Sequence, residues 1–246
     1  MPFTFCHPAI VLPLAKVSKN KLSLTALIMG SMAPDFEYFI RMRMYREHSH
    51  SLGGLFYFEL PITILLCILY HAFVRDSLIN ALPEIYRKRF ESFTNLDWFG
   101  WAKKYWYVLI YSAILGILSH IFWDAFTHEH GFFAERIPFL QQNTLIANSP
   151  IPNYHIAQLL SSIFGGLFIL TAISIPLFPT IQYSILFEKV KYWGMVFLIM
   201  MLTLIMRGVQ SFSDIIATSI AGWLLGLILA PIFLKLIPLK NERTEV

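Results

Sequence analysis

Ser119-His120-Ile121-Phe122-Trp123-Asp124-Ala125-Phe126-Thr127-His128 closes an apolar run that begins at Trp106. At about 3.6 residues per turn, positions 120, 124 and 128 share one face of a helix. A run of about 20 apolar residues is long enough to cross a bilayer. A central Asp in such a span costs roughly 2.5 to 3.5 kcal/mol on insertion scales unless something compensates it. A bound cation compensates a carboxylate flanked by two imidazoles, so the triplet reads as a set of metal ligands.

The surrounding composition agrees with a lipid setting. Of 246 residues, 57% are hydrophobic and 14% charged, far from the balance of a soluble domain. Five stretches have span length: Leu55 to Val74, Trp106 to Thr127, Tyr154 to Phe178, Tyr192 to Val209 and Ile215 to Ile237. Before them, Leu22 to Met32 predicts an apolar helix too short to cross, which is re-entrant, interfacial or packed on the bundle. The expected fold is all-α, a polytopic membrane helical bundle with about five transmembrane helices and short N-terminal interfacial helices. It is expected to form one integral membrane domain over 1–246. Residues 1–170 would bear the metal site and 171–246 would supply C-terminal membrane helices.

Pro2, His7, Pro8 and Pro13 interrupt the N-terminus, so it lacks the apolar core of a secretory signal. Cys6 and Cys67 are too far apart in sequence to imply a disulfide framework. Basic residues gather between the first two spans (Arg75, Arg87, Lys88, Arg89, Lys103, Lys104), between the third and fourth (Lys189, Lys191) and at the end (Lys235, Lys240, Arg243). The positive-inside bias makes these regions cytoplasmic, with the C-terminus. Lys16, Lys19, Lys21, Arg41, Arg43 and Arg46 oppose that orientation, because it leaves the first 54 residues outside. The basic-aromatic segment from Arg75 to Lys104 is expected to be an interfacial helix on anionic headgroups. Its Asp76, Glu84, Glu91 and Asp97 argue against nucleic acid.

Following the chain through the membrane brings the candidate ligands to one face. His48 and His50 precede the first span, His120, Asp124 and His128 end the second, and His155 opens the third. The short helix ending at Asp35 lets His7 and Asp35 share that side. Seven of the eight histidines fall there, and only His71 lies toward the other end. Simpler roles stand beside several of these: an exposed residue for His7, a helix cap for Asp35, loop residues for His48 and His50, and a solvated side chain for His155. Glu59, at the start of the first span, orients a ligand, serves as a base, or favours the helix dipole.

His7-Pro8, Gly30-Ser31-Met32-Ala33-Pro34-Asp35, His50-Ser51-Leu52-Gly53-Gly54 and Ser119-His120-x3-Asp124-x2-Thr127-His128 together resemble a family of bacterial multi-pass membrane proteins carrying a domain of unknown function. Through that family they resemble the YdjM-like membrane-bound metal-dependent hydrolases. More remotely, the order of ligands is similar to the zinc-dependent phospholipase C and P1 nuclease group. The resemblance covers roughly residues 1–170. It implies a central metal site of Asp35, His50, His120 and Asp124, a second ion joined by His7 with Asp124 as bridge, and remnants of a third site in His128 and His155. Leu159 stands where the soluble enzymes place a Glu, so one or two ions are expected. His50 is preferred over His48 because its His-Ser pair precedes the glycines.

Imidazole and carboxylate donors suit Zn²⁺, with Mn²⁺ or Fe²⁺ as alternatives. The expected reaction is metal-assisted hydrolysis of a phosphoester, with Asp35 and Glu59 as catalytic carboxylates. A site at the membrane boundary points to an amphiphilic substrate such as a phospholipid or isoprenoid phosphate, with membrane lipids as the other partners. The expected location is the bacterial inner membrane, with the site at its outer face. Two other classes compete. A transporter would continue polar groups across the bilayer, yet the fifth span offers only Thr218, Ser219 and Trp223 between Asp214 and Lys235, and the fourth only Trp193 and Thr203 between Tyr192 and Arg207. A scaffold would use the metal as a staple.

Overall fold

The computed structural model describes residues 3–17, 21–174, 186–208 and 211–236. The expected span ends at Phe178, Val209 and Ile237, and the basic residues Lys19, Lys240 and Arg243, lie outside the described residues. Five helices are long and apolar enough to cross a membrane: Leu55–Ala81, Trp106–Arg136, Asn153–Ser174, Lys189–Arg207 and Phe212–Leu236. The chain is an all-α polytopic bundle, with one two-stranded hairpin among its described residues.

In chain order the elements are α1 (Pro8–Val17), α2 (Leu24–Met32), α3 (Phe36–Arg41) and α4 (Leu55–Ala81), then α5 (Glu84–Phe90), α6 (Trp98–Lys104) and α7 (Trp106–Thr127). There follow α8 (Phe132–Arg136), α9 (Pro138–Gln141), β1 (Asn143–Ile146), β2 (Ser149–Pro152), α10 (Asn153–Ser174), α11 (Leu186–Arg207) and α12 (Phe212–Leu236). The first span continues past the expected Val74. Arg75, buried, pairs with Asp76 at 2.7 Å and donates to the Leu96 carbonyl at 3.0 Å, so its charge is satisfied without ending the helix. The expected single interfacial helix from Arg75 to Lys104 is instead broken into pieces. Pro83 precedes α5, and Asn95 takes a left-handed φ of 61° before α6.

Two compact units make up the chain. One comprises Met1–Glu37, Tyr45–Cys67 and Asp97–Pro176, and the other Tyr38–Met44, Ile68–Leu96 and Leu177–Val246. In the second unit α11 packs along α12 around Tyr192, Val196 and Ala230, and Trp193 donates its indole N–H to the Ala81 carbonyl at 3.0 Å.

The first unit carries every candidate ligand, and its axis is the contact of α2 with α7. The buried face of α7 is small and polar: Ser112, Ala113, Gly116, Ile117, His120, Asp124 and Thr127 recur every three or four residues. Its exposed face holds Tyr107, Leu115, Leu118 and Phe122, as suits a helix turned outward to lipid. Ser23 caps α2 by accepting the Ala26 N–H at 3.3 Å, and its own N–H donates to Ser112 Oγ at 2.9 Å. The two backbones touch at Gly30 and Gly116. A Cβ on Gly30 would lie 2.5 Å from the Ala113 carbonyl oxygen, and one on Gly116 would lie 2.5 Å from that of Leu27. Only glycine permits this approach.

Gly116→Val is therefore expected to separate the two helices and destabilise the protein by about 1–3 kcal/mol. Gly194→Ala, inside α11, meets nothing within 4 Å and is expected to cost no stability, or to add up to about 1 kcal/mol. Thermal denaturation of the detergent-solubilised variants checks both.

Candidate metal centre

One helical turn beyond Gly116, His120 comes beside Ser31, which follows Gly30 in α2. His120 Nδ1 lies 2.7 Å from the Ser31 carbonyl oxygen and must donate to it, which leaves Nε2 of the neutral ring as a lone pair aimed inward. Asp124, one further turn along α7, points to the same place. Asp35 reaches it from the turn after α2, where Thr4 Oγ1 donates to its Oδ2 at 2.6 Å and leaves Oδ1 facing the rings. His50 completes the group from the loop before α4.

Asp35, His50, His120 and Asp124 each offer one donor atom, and all four atoms lie within 4.8 Å of one another. His120 Nε2 is 3.3 Å from Asp124 Oδ2, 3.6 Å from Asp35 Oδ1 and 3.3 Å from His50 Nε2. His50 Nε2 is 3.2 Å from Asp124 Oδ2 and 3.8 Å from Asp35 Oδ1. Tetrahedral donors at about 2.0–2.1 Å from a zinc ion stand about 3.3–3.4 Å apart, and these five separations, from 3.2 to 3.8 Å, lie near that value. Asp35 and His120 are essentially inaccessible, at 1% and 0% exposure. A proton on one ring satisfies one contact at a time, whereas a cation at the centre satisfies four donors together.

Further unpartnered groups surround this centre. Asp35 Oδ1, Asp124 Oδ1 and both ring nitrogens of His7 are buried without a hydrogen-bond partner, an arrangement proteins ordinarily avoid. Asp124 Oδ1 faces His7 Nε2 at 3.7 Å and His128 Nδ1 at 3.6 Å. Asp124 thus divides its two oxygens between two groups of histidines. The His7 ring stacks on that of His120 with centroids 3.8 Å apart. It is held there because Phe3 N–H donates to Ser162 Oγ and the Cys6 thiol to the Ser162 carbonyl, both at 3.0 Å. Burial holds the His7 and His50 rings below their ordinary 6.5 and pushes the Asp35 carboxyl above 3.8, the last reinforced by the neighbouring Asp124. Neutral imidazoles are what a cation requires.

The loop bearing His50 is held by two buried carboxylates. Glu37 accepts the backbone N–H groups of Glu47, His48 and Ser49 at 2.8, 3.0 and 2.8 Å. Glu59 Oε1 accepts that of His50 at 2.7 Å. His50 itself adopts φ +63°, a left-handed conformation that a non-glycine residue holds only when its surroundings impose it. Glu59 lies in a π-type turn, Leu55–Glu59, at the head of α4, and its second oxygen, Oε2, is buried without a partner. Its observed contact is the orienting one among the roles expected for it.

His48 and His155 are not brought to the cluster. The His48 ring lies beside Tyr57, whose hydroxyl is 3.4 Å from Nδ1, and His155 is exposed on the first turn of α10. His48 enters only through its backbone N–H on Glu37, which the sequence pattern did not bring out. The role of Glu37 is not legible in the sequence, where its one signal is a second acid two residues after Asp35, at the end of an apolar helix.

A membrane helical bundle with a buried His/Asp cluster able to hold a metal ion is the class this structure defines. The chain belongs to the DUF4184 family, a domain of unknown function, whose profile matches residues 1–232. Neither the curated proteins nor the solved structures contain a match to it.

Glu37→Ala strips three backbone donors of their acceptor without substituting any candidate ligand. It is expected to weaken zinc binding about 10- to 100-fold, read by competition with a chelating indicator, while Tyr57→Phe leaves affinity unchanged.

Proposed function

We propose that this protein is a membrane-bound, metal-dependent hydrolase acting on a phosphoester of a lipid or other amphiphile. The observation that carries the reading is the set of four donors from three separate stretches, all within 4.8 Å of one another, with Asp35 Oδ1 buried and without a hydrogen-bond partner. The donor set of two imidazoles and two carboxylates suits zinc, with manganese or iron as alternatives. Asp35, His50, His120 and Asp124 would hold the first ion. Asp124 would share its free oxygen with a second, toward His7 and His128. Bound there, such ions lower the pKa of a water and polarise a phosphoryl oxygen.

The protein's own residues supply position and enclosure. Ser31 fixes the tautomer of His120, Thr4 turns Asp35 inward, and Glu59 and Glu37 hold His50 at its place in the loop. Cys6 and Cys67 take no part: both are buried, and the Cys6 thiol is spent on the Ser162 carbonyl. The more open side of the cluster is formed by His50 and His128, whose side chains are 10% and 22% exposed. A substrate headgroup would approach from there. Since His120 and Asp124 lie in the last two turns of α7, Trp106–Thr127, a lipid phosphoester would reach the cluster without leaving the bilayer surface. We place the protein in a bacterial inner membrane with its C-terminus cytoplasmic and the cluster outside, on the support of the basic loops after the first, third and fifth spans.

A second reading, a metal staple, is favoured by the count of protein donors. Four already complete a tetrahedron, as in structural zinc sites, whereas catalytic sites keep a position open. Turnover separates the two.

The purified protein is expected to carry one or two zinc ions per chain by elemental analysis, and His120→Ala to lose them. The zinc-loaded parent is expected to cleave a phospholipid or isoprenoid phosphate, and Asp124→Ala to lose at least about 100-fold of that activity, or about 2.7 kcal/mol. A metal-free parent overturns both readings, and a metal-bearing parent silent on every lipid phosphoester leaves the staple. Because the His7 and His50 rings are held below 6.5, they stay unprotonated at pH 6.5 and above. Metal is therefore expected to be retained there and released on further acidification, as protons compete for the rings.

A further inference from the structure

Between the last turn of α7 and the first residue of α10, the chain builds an ordered apolar hairpin. The strands pair antiparallel from Asn143–Pro152 to Ile146–Ser149. Ala147 and Asn148 turn the tip with φ of 48° and 65°, the positive pair that a two-residue hairpin of this hand uses. A two-stranded ribbon alone is marginally stable, and this one is clasped at its base by a single buried side chain. Asn153 donates Nδ2–H to the Phe139 carbonyl at 2.8 Å, accepts the Thr144 hydroxyl on Oδ1 at 2.6 Å, and donates its backbone N–H to the Gln142 carbonyl at 2.9 Å. Gln141 adds a bond to the Ala134 carbonyl at 2.9 Å. The tip is therefore held in place by its base.

What this scaffold presents is apolar. Leu145 is 75% exposed and Ile146 46%, with Phe139 at 65% and Phe132 at 57% on the short helices beside them. From Ile137 to Asn153 the sequence has no charged residue and no histidine. A water-facing loop of that length between two spans ordinarily carries charge, and a tip of Leu-Ile is what an apolar medium rewards. The medium is adjacent, because β2 runs without a linker into a membrane-spanning helix at Asn153. The unpaired outer edges of the ribbon still need hydration, which confines it to the boundary between headgroups and acyl chains.

We propose that the 143–152 hairpin dips into the lipid leaflet at the end of α7 and α10, seating Leu145 and Ile146 at the headgroup–acyl boundary. It anchors the same end of α7 that carries His128. The partner is the lipid surface itself.

The test is a nitroxide attached to Leu145→Cys in phosphatidylcholine–phosphatidylglycerol proteoliposomes, with Cys6 and Cys67 left in place because both are buried. Collision with oxygen, which favours lipid, is compared with collision with a water-soluble nickel chelate. Leu160→Cys, exposed on α10, and Glu91→Cys, exposed beyond α5, supply the lipid and water references. The expected result is an oxygen-to-nickel ratio at 145 several-fold above that at 91 and on the side of 160. A ratio equal to that at 91 overturns the proposal by placing the tip in water. Low collision with both reagents also overturns it, by placing the tip against protein, as a second copy of the chain would.

Discussion

The structure turns on one buried hydrogen bond, from His120 Nδ1 to the Ser31 carbonyl at 2.7 Å. It exists because α2 and α7 meet without side chains between them at Gly30 and Gly116. A single Cβ at either glycine would push the ring from the carbonyl and free it to rotate. With the bond made, His120 presents a lone pair to Asp35, His50 and Asp124, and the unit must accommodate four donors in a place that water barely reaches. Burying such groups without compensation costs several kcal/mol each.

The supporting contacts make sense around that constraint. Thr4 uses up one oxygen of Asp35 and leaves the other inward. Glu37 and Glu59 are themselves buried, yet they are not additional members of the cluster. Glu37 spends both oxygens and Glu59 one on the backbone of the 47–50 loop, and together they keep His50 at a left-handed φ it would not hold alone. Such outer contacts fix the orientation of a ligand more firmly than the ligand's own rotamer does. His7, stacked on His120 and bare of partners at both nitrogens, is the member whose placement has no explanation in a cluster of only four.

What could be read from the chain follows from what is periodic or local. The span Trp106 to Thr127 matches α7 end for end, because its apolar pattern and its stop at His128 are written in consecutive residues. His120 and Asp124 were legible for the same reason, since four residues apart in an apolar helix means one face. His50 was legible as the His-Ser pair nearer the glycines, and the fold turns the His48 ring away toward Tyr57. Glu37 stayed hidden because its work is capture of backbone N–H groups ten to twelve residues on, which leaves no spacing rule in a sequence. The extension of α4 through Arg75 stayed hidden too, since it depends on the charge finding Asp76 and the Leu96 carbonyl. The hairpin at 143–152 has no such local mark either. Its clasp by Asn153 is a tertiary contact.

The most direct test of the account is X-ray absorption at the zinc edge of the zinc-loaded, detergent-solubilised protein. An ion held by Asp35, His50, His120 and Asp124 would show a shell of nitrogen and oxygen alone at about 2.0–2.1 Å, with the outer scattering of at least two imidazole rings. A sulfur at about 2.3 Å, or a shell without imidazole, would contradict it.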